Sequence, residues 1–70
     1  MSKIPLKGWG LIVQTELLKR GETQEWLIQE IKKHTDNYVD GSNLYKILRG
    51  TLNSKPIINA INEILGISNT

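Results

Sequence analysis

The side chains in this chain with the most chemical potential are hydrogen-bond donors and cations, not acids, bases or nucleophiles. Ser42, Asn43, Tyr45, Lys46 and Arg49 fall close together, and Lys55 follows. From Gly41 to Ala60 the sequence holds three cations (Lys46, Arg49 and Lys55) and no acid, whereas Glu16, Glu22, Glu25, Glu30, Asp36 and Asp40 all come earlier. A segment with that balance attracts anions. Its hydroxyl, amide, ammonium and guanidinium groups are the ones that bond to base edges and phosphate oxygens in a DNA groove. Catalysis has much less to draw on. His34 is the single histidine and there is no cysteine, so no imidazole cluster or thiolate set can hold a metal. General acid–base work needs positioned titratable groups beside a cleft, and scattered surface carboxylates do not supply them. The expectation is therefore a protein that binds rather than an enzyme, with no cofactor.

Those residues need a scaffold, and the local pattern supplies one. Ser42, Tyr45, Lys46 and Arg49 stand at i, i+3, i+4 and i+7, the spacing of one helix face, with Asn43 beside them. Leu44, Ile47 and Leu48 form the opposite, apolar face. Asp40 stands where a helix N-cap accepts from backbone N–H groups two or three residues on. Val39 and Leu44 occupy the two positions of a hydrophobic staple. Arg49 then suits the helix C-terminus, and Gly50 can turn left-handed to end it. The sequence thus predicts a helix of about ten residues with an anchored side and a donor-rich, acid-free side. A solvated face would use the same residue types, so the neighbouring elements must carry the case.

Three more helices follow from the same signals. The first begins near Gly8 and runs to Arg20, with Trp9, Ile12, Val13 and Leu17 on its buried face, Leu18 widening it, and Gly21 as its stop. Trp9 reads as a core or rim residue. The second opens at the N-cap Thr23 and closes on Lys32 and Lys33, burying Leu27, Ile28 and Ile31 with Trp26 at the flank. Gln24 stands at its first turn, where a side-chain amide and backbone N–H groups together can hold a phosphate. Residues 34–39 read as a link whose Tyr38 and Val39 fold back onto the core, with His34 on the surface; a one-turn extension of the second helix through His34 is the alternative. The fourth helix is capped by Ser54, tolerates Pro56 in its first turn, and carries a broad apolar face of Ile57, Ile58, Ile61, Ile64 and Leu65 before Gly66. Ile67 tucks back behind it. Residues 1–7, with Lys3 and Lys7, read as a flexible arm.

Length and composition bound the rest. Seventy residues make one small domain, 1–70, with a net charge of +2 and a pI of about 9.1. No apolar run approaches the ~20 residues of a transmembrane helix, and the first residues lack a signal peptide's apolar core. A cytoplasmic protein without a membrane partner is expected.

The order of these parts resembles the lambda-repressor-like (Cro/C1-type, XRE) helix-turn-helix family. Gly21-Glu22-Thr23-Gln24-Glu25-Trp26-Leu27-Ile28-Gln29-Glu30-Ile31 is similar to the Thr-Gln-x-x-Leu-Ala segment that opens the family's motif. Ser42 through Gly50 looks like its recognition helix, and Ser54-Lys55-Pro56 through Leu65-Gly66-Ile67 like its next helix. Three features depart from the family pattern. The link from Lys32 to Asp40 is about six residues longer, Ile28 replaces a small alanine, and Glu22 stands where an apolar residue is common. The resemblance implies an all-α, compact four- to five-helix lambda-repressor-like domain and a sequence-specific transcriptional regulator of double-stranded DNA, of phage or bacterial type. It implies base-facing roles for Gly41, Ser42, Asn43 and Lys46. It implies backbone contacts for Gln24, Tyr45, Arg49, Thr51, Asn53 and Lys55. One such helix buries too little for tight specific binding, so a homodimer on a two-fold operator is expected. A protein surface, as for an antirepressor on the same fold, is the alternative partner.

Overall fold

The computed structural model describes residues 8–67, which places the expected arm of residues 1–7 outside the described part of the chain. Four helices account for nearly all of it: α1, Trp9–Arg20; α2, Gln24–His34; α3, Gly41–Leu48; and α4, Lys55–Leu65. There is no strand among the described residues, so the chain is all-α.

The helices start and stop where the local chemistry directs. Thr23 stands in extended backbone and its hydroxyl accepts from the Trp26 N–H at 3.1 Å, satisfying one of the free donors of the first turn of α2. Lys32, Lys33 and His34 fill its last turn. Gly21 and Gly66 both adopt the left-handed conformation at φ 68°. There they let the next N–H close back onto the helix: Glu22 N–H donates to the Leu17 carbonyl and Ile67 N–H to the Asn62 carbonyl, each at 2.9 Å. Ser54 occupies the N-cap position of α4, but its side chain makes no capping bond. Pro56, pre-set for a first helical turn, starts that helix instead.

One apolar core joins all four helices. Val13 and Leu17 come from α1, Leu27, Ile28 and Ile31 from α2, Leu44, Ile47 and Leu48 from α3, and Ile57, Ala60, Ile61 and Leu65 from α4, with Val39 from the α2–α3 link. α2 packs most extensively on α4, while α3 lies against α1 and α2. Trp9, Trp26, Ile58, Ile64 and Ile67 are partly buried at the rim.

Two expectations about the core change. Ile12 and Leu18 are 46% and 81% exposed, so they do not belong to the buried face of α1, which is made by Gly10, Val13 and Leu17. The apolar positions of α1 cover too much of its circumference for all of them to turn inward. Tyr38 is exposed whereas Val39 is buried. The link between α2 and α3 is extended there, and successive side chains of extended backbone point in opposite directions.

Two polar bonds, both between α1 and α4, reinforce the packing. The Trp9 indole donates to Asn62 Oδ1 at 2.6 Å, and Asn62 is itself buried within the apolar face of α4. That bond fixes the orientation of the Asn62 amide, because Nδ2 cannot accept from an indole N–H. Its Nδ2 has no partner among the described residues. At the other end Arg20 reaches the Leu65 carbonyl at 2.9 Å, supplying a cation where the C-terminus of α4 carries partial negative charge.

Candidate nucleic-acid interface

α3 is held on one side and open on the other. Leu44, Ile47 and Leu48 are at most 2% exposed and anchor it. Gly41, Ser42, Tyr45 and Lys46 are exposed on its outer side, Arg49 is half-buried just beyond its end, and the six-residue link does not seal that side. Asn43 is half-buried at the flank of this stripe, closer to the core than Ser42 or Lys46. With its side chains an α-helix is about 10–12 Å across, which a DNA major groove about 12 Å wide admits.

Both ends of α3 are fixed by bonds close to the outer face. Asp40 accepts the Asn43 N–H at 2.8 Å as the N-cap. Its second carboxylate oxygen accepts the Tyr38 hydroxyl at 2.6 Å. The Tyr38 bond, followed by that from Asn43 N–H, holds the Asp40 carboxyl below the usual range of an aspartate. The same hydrogen bond and the carboxylate's charge push the Tyr38 phenol above its ordinary value. At the far end the Lys46 carbonyl accepts from the backbone N–H of Thr51 at 2.9 Å and from its hydroxyl at 3.1 Å. Thr51 therefore fastens the following loop to α3, and its hydroxyl proton is already engaged. Asn53 is exposed in that loop, and Lys55 is exposed as the first residue of α4.

Among the described residues most cations outside this surface are paired, Lys32 on α2 being the exception. Lys19 and Arg20 pair with Glu16, Lys33 pairs with Glu30, and His34 Nδ1 lies 3.6 Å from Glu63. Lys46, Arg49 and Lys55 form no ion pair among the described residues. The Arg49 guanidinium instead lies over the Tyr45 ring, 5.0 Å from its centroid, an arrangement that fixes the planar cation without neutralising it. On α2, Gln24 is half-buried at the first position, next to the Thr23 cap.

The sequence-expected residues thus fall into two groups. Ser42, Tyr45, Lys46 and Arg49 share one helix face, with Gly41 at its start. Asn43 lies at the flank of that face, Gln24 is the first residue of α2, Lys55 the first of α4, and Thr51 and Asn53 belong to the loop between α3 and α4. The contribution of Tyr38 is missing from the sequence reading, which placed that ring in the core. Its signal was the spacing Tyr-Val-Asp, which puts positions 38 and 40 on one side of an extended link. No family model, curated protein or solved structure matches the chain, so the meaning of the site rests on this geometry.

Proposed function

We propose that the chain is a sequence-specific DNA-binding regulator of the helix-turn-helix type, with α2 and α3 as the motif and α3 entering the major groove. One observation carries this reading. The outer face of α3 is exposed, rich in donors and free of unengaged acid, on a helix fixed at both ends and along its buried side. In the proposed complex Ser42, Asn43 and Lys46 face base edges, where an amide can pair with adenine and an ammonium can reach guanine acceptors. Arg49, steadied by Tyr45, holds phosphate together with Lys55, Asn53 and the first turn of α2 at Gln24.

Gly41 adds support. A Cβ at this position would meet nothing within 4 Å, and the backbone there is not left-handed. In the proposed complex its lack of a side chain lets DNA approach the start of α3 closely. The regulator binds as a homodimer on a two-fold operator, its half-sites about one helical turn apart, and works in the cytoplasm. No helix among the described residues is long and apolar enough to cross a membrane.

Selection from a pool of random duplexes at low salt tests the proposal directly. Enrichment of a two-fold sequence is expected. The Lys46→Ala/Arg49→Ala double variant should lose retention while melting like the wild type. A folded wild type that retains no duplex but binds a protein through α3 would replace this reading with the antirepressor one.

A further inference from the structure

The outward side of α1 carries every large aliphatic side chain left exposed among the described residues. Leu11, Ile12 and Leu18 are 51%, 46% and 81% exposed. Leu11 and Leu18 lie about two turns apart, and Thr15 stands between them on the same stripe. No charged residue falls from Trp9 to Thr15. At the C-terminal end, the single carboxylate of Glu16 lies 3.4 and 3.6 Å from Lys19 and Arg20, so one positive charge is left uncompensated at that end of the stripe.

We infer that a second copy of this chain docks here, α1 against α1 in antiparallel orientation about a two-fold axis at Thr15. Its use rests on the DNA-binding reading, because a two-fold operator calls for a two-fold protein. The stripe is complementary to itself, as such an axis requires. Pairing centred on Thr15 sets Ile12 against Leu18 of the second copy and lays Leu11 along the aliphatic stem of its Lys19. Thr15, small and at the centre, lets the two backbones approach. Charge selects the antiparallel arrangement, since a parallel one would place the two Lys19–Arg20 ends side by side.

Area sets the strength. A twelve-residue helix is about 18 Å long, and one pair of such helices covers well under the ~800 Å² per partner of a stable interface. The pair is therefore weak in free solution. It becomes populated when two copies sit on neighbouring half-sites, where their effective concentration is far higher.

The absence of cysteine makes the test clean. Thr15→Cys places one thiol at the proposed axis, within reach of a short bismaleimide across the 8–10 Å that separates packed helices. Gln29→Cys, on the exposed side of α2, is the control. In concentrated full-length protein without DNA, Thr15→Cys should cross-link at least tenfold faster than Gln29→Cys. Adding Leu18→Glu should reduce it to the control rate with unchanged melting, because Leu18 is largely solvent-exposed. Equal rates for the two cysteine variants, or a Thr15→Cys rate indifferent to Leu18→Glu, overturn the inference. So does a thiol in the Thr15→Cys variant that stays shielded from a small alkylating reagent in protein diluted until it is monomeric, which would show that another segment of the chain covers the stripe. The cross-linking needs no DNA, so it stands or falls apart from the function. On a selected two-half-site duplex, Leu18→Glu should lower affinity about tenfold and leave a single half-site unaffected.

Discussion

Replacing Arg49 with alanine should flatten the salt dependence of DNA binding by a calculable amount. Arg49 and Lys55 are the cations among the proposed phosphate contacts, and neither forms an ion pair among the described residues. Each neutralised phosphate contributes about −0.9 to the slope of log K against log salt, so four contacts in a dimer give roughly −3.6. From about 50 to 200 mM salt that slope weakens binding by about 150-fold. Arg49→Ala leaves two contacts, a slope near −1.8 and a loss of only about 12-fold over the same range. Lys33→Ala is the matched control, because Lys33 Nζ already lies 3.1 Å from Glu30 on α2. It should leave the slope unchanged. Anisotropy titrations of a labelled duplex at several salt concentrations measure both. An unaltered slope in Arg49→Ala, or an equal flattening by Lys33→Ala, refutes the assignment of phosphate contacts to this face.

Other variants separate stability from recognition. Gly41→Ala should raise stability by about 0.4–1 kcal/mol, because the new methyl meets open space. Yet it should weaken DNA binding, and a melt that rises with unimpaired affinity argues against close approach at that point. Thr23→Ala removes the cap bond to Trp26 and should cost about 1 kcal/mol, lowering Tm by about 4–8 °C in thermal melts. Trp9→Phe leaves the buried Asn62 Oδ1 without its donor and should cost about 1–3 kcal/mol. Asn62→Leu should cost less, since it also removes the unpartnered Nδ2; urea unfolding that gives the reverse order refutes the bond's importance. Asp40 has a folded pKa below its ordinary 3.8, so its stabilisation is present above that value and disappears as pH falls through the folded one. Melts taken down to about pH 2.5 should show that loss in the wild type and not in Asp40→Asn. Tyr38 has the opposite sign: its contribution holds below pH 10.0 and is lost as pH rises through the elevated folded value, which a phenolate absorbance titration follows.

Much of the architecture was legible because the chain marks its own boundaries. Thr23 and Asp40 cap, Gly21 and Gly66 turn left-handed, and every helix lies close to where those residues put it. The stripe Ser42, Tyr45, Lys46 and Arg49 was legible for the same reason, since Leu44, Ile47 and Leu48 leave only one side for it. The errors fall where one-dimensional pattern does not choose a direction. On α1, aliphatic residues at 11, 12, 13, 17 and 18 admit more than one buried face, and only the packing of α3 and α4 selects Val13 and Leu17. The Trp9–Asn62 and Arg20–Leu65 bonds join positions 53 and 45 residues apart, a separation no local rule addresses. Asn62 did carry a signal, because an amide on the apolar face of α4 needs a buried partner.

The long link gives α3 a property that a tighter turn would not. Val39 is buried and pins the chain just before the helix, while Tyr38 and Asp40 lie on its other side and meet over the helix entrance. A helix N-terminus ordinarily favours an anion, but here the Asp40 carboxylate already occupies that position. In the proposed complex phosphate is therefore displaced toward Arg49 and Lys55, at the far end of α3 and the start of α4. A carboxylate at the groove-facing end can instead accept from an exocyclic amine, as aspartate does from cytosine. The Tyr38 bond competes for the same oxygen, so Tyr38→Phe should free it. In duplex selection that variant should strengthen preference at one base position and leave the salt slope as it was. A changed slope with unchanged preference would place Tyr38 on the phosphates instead.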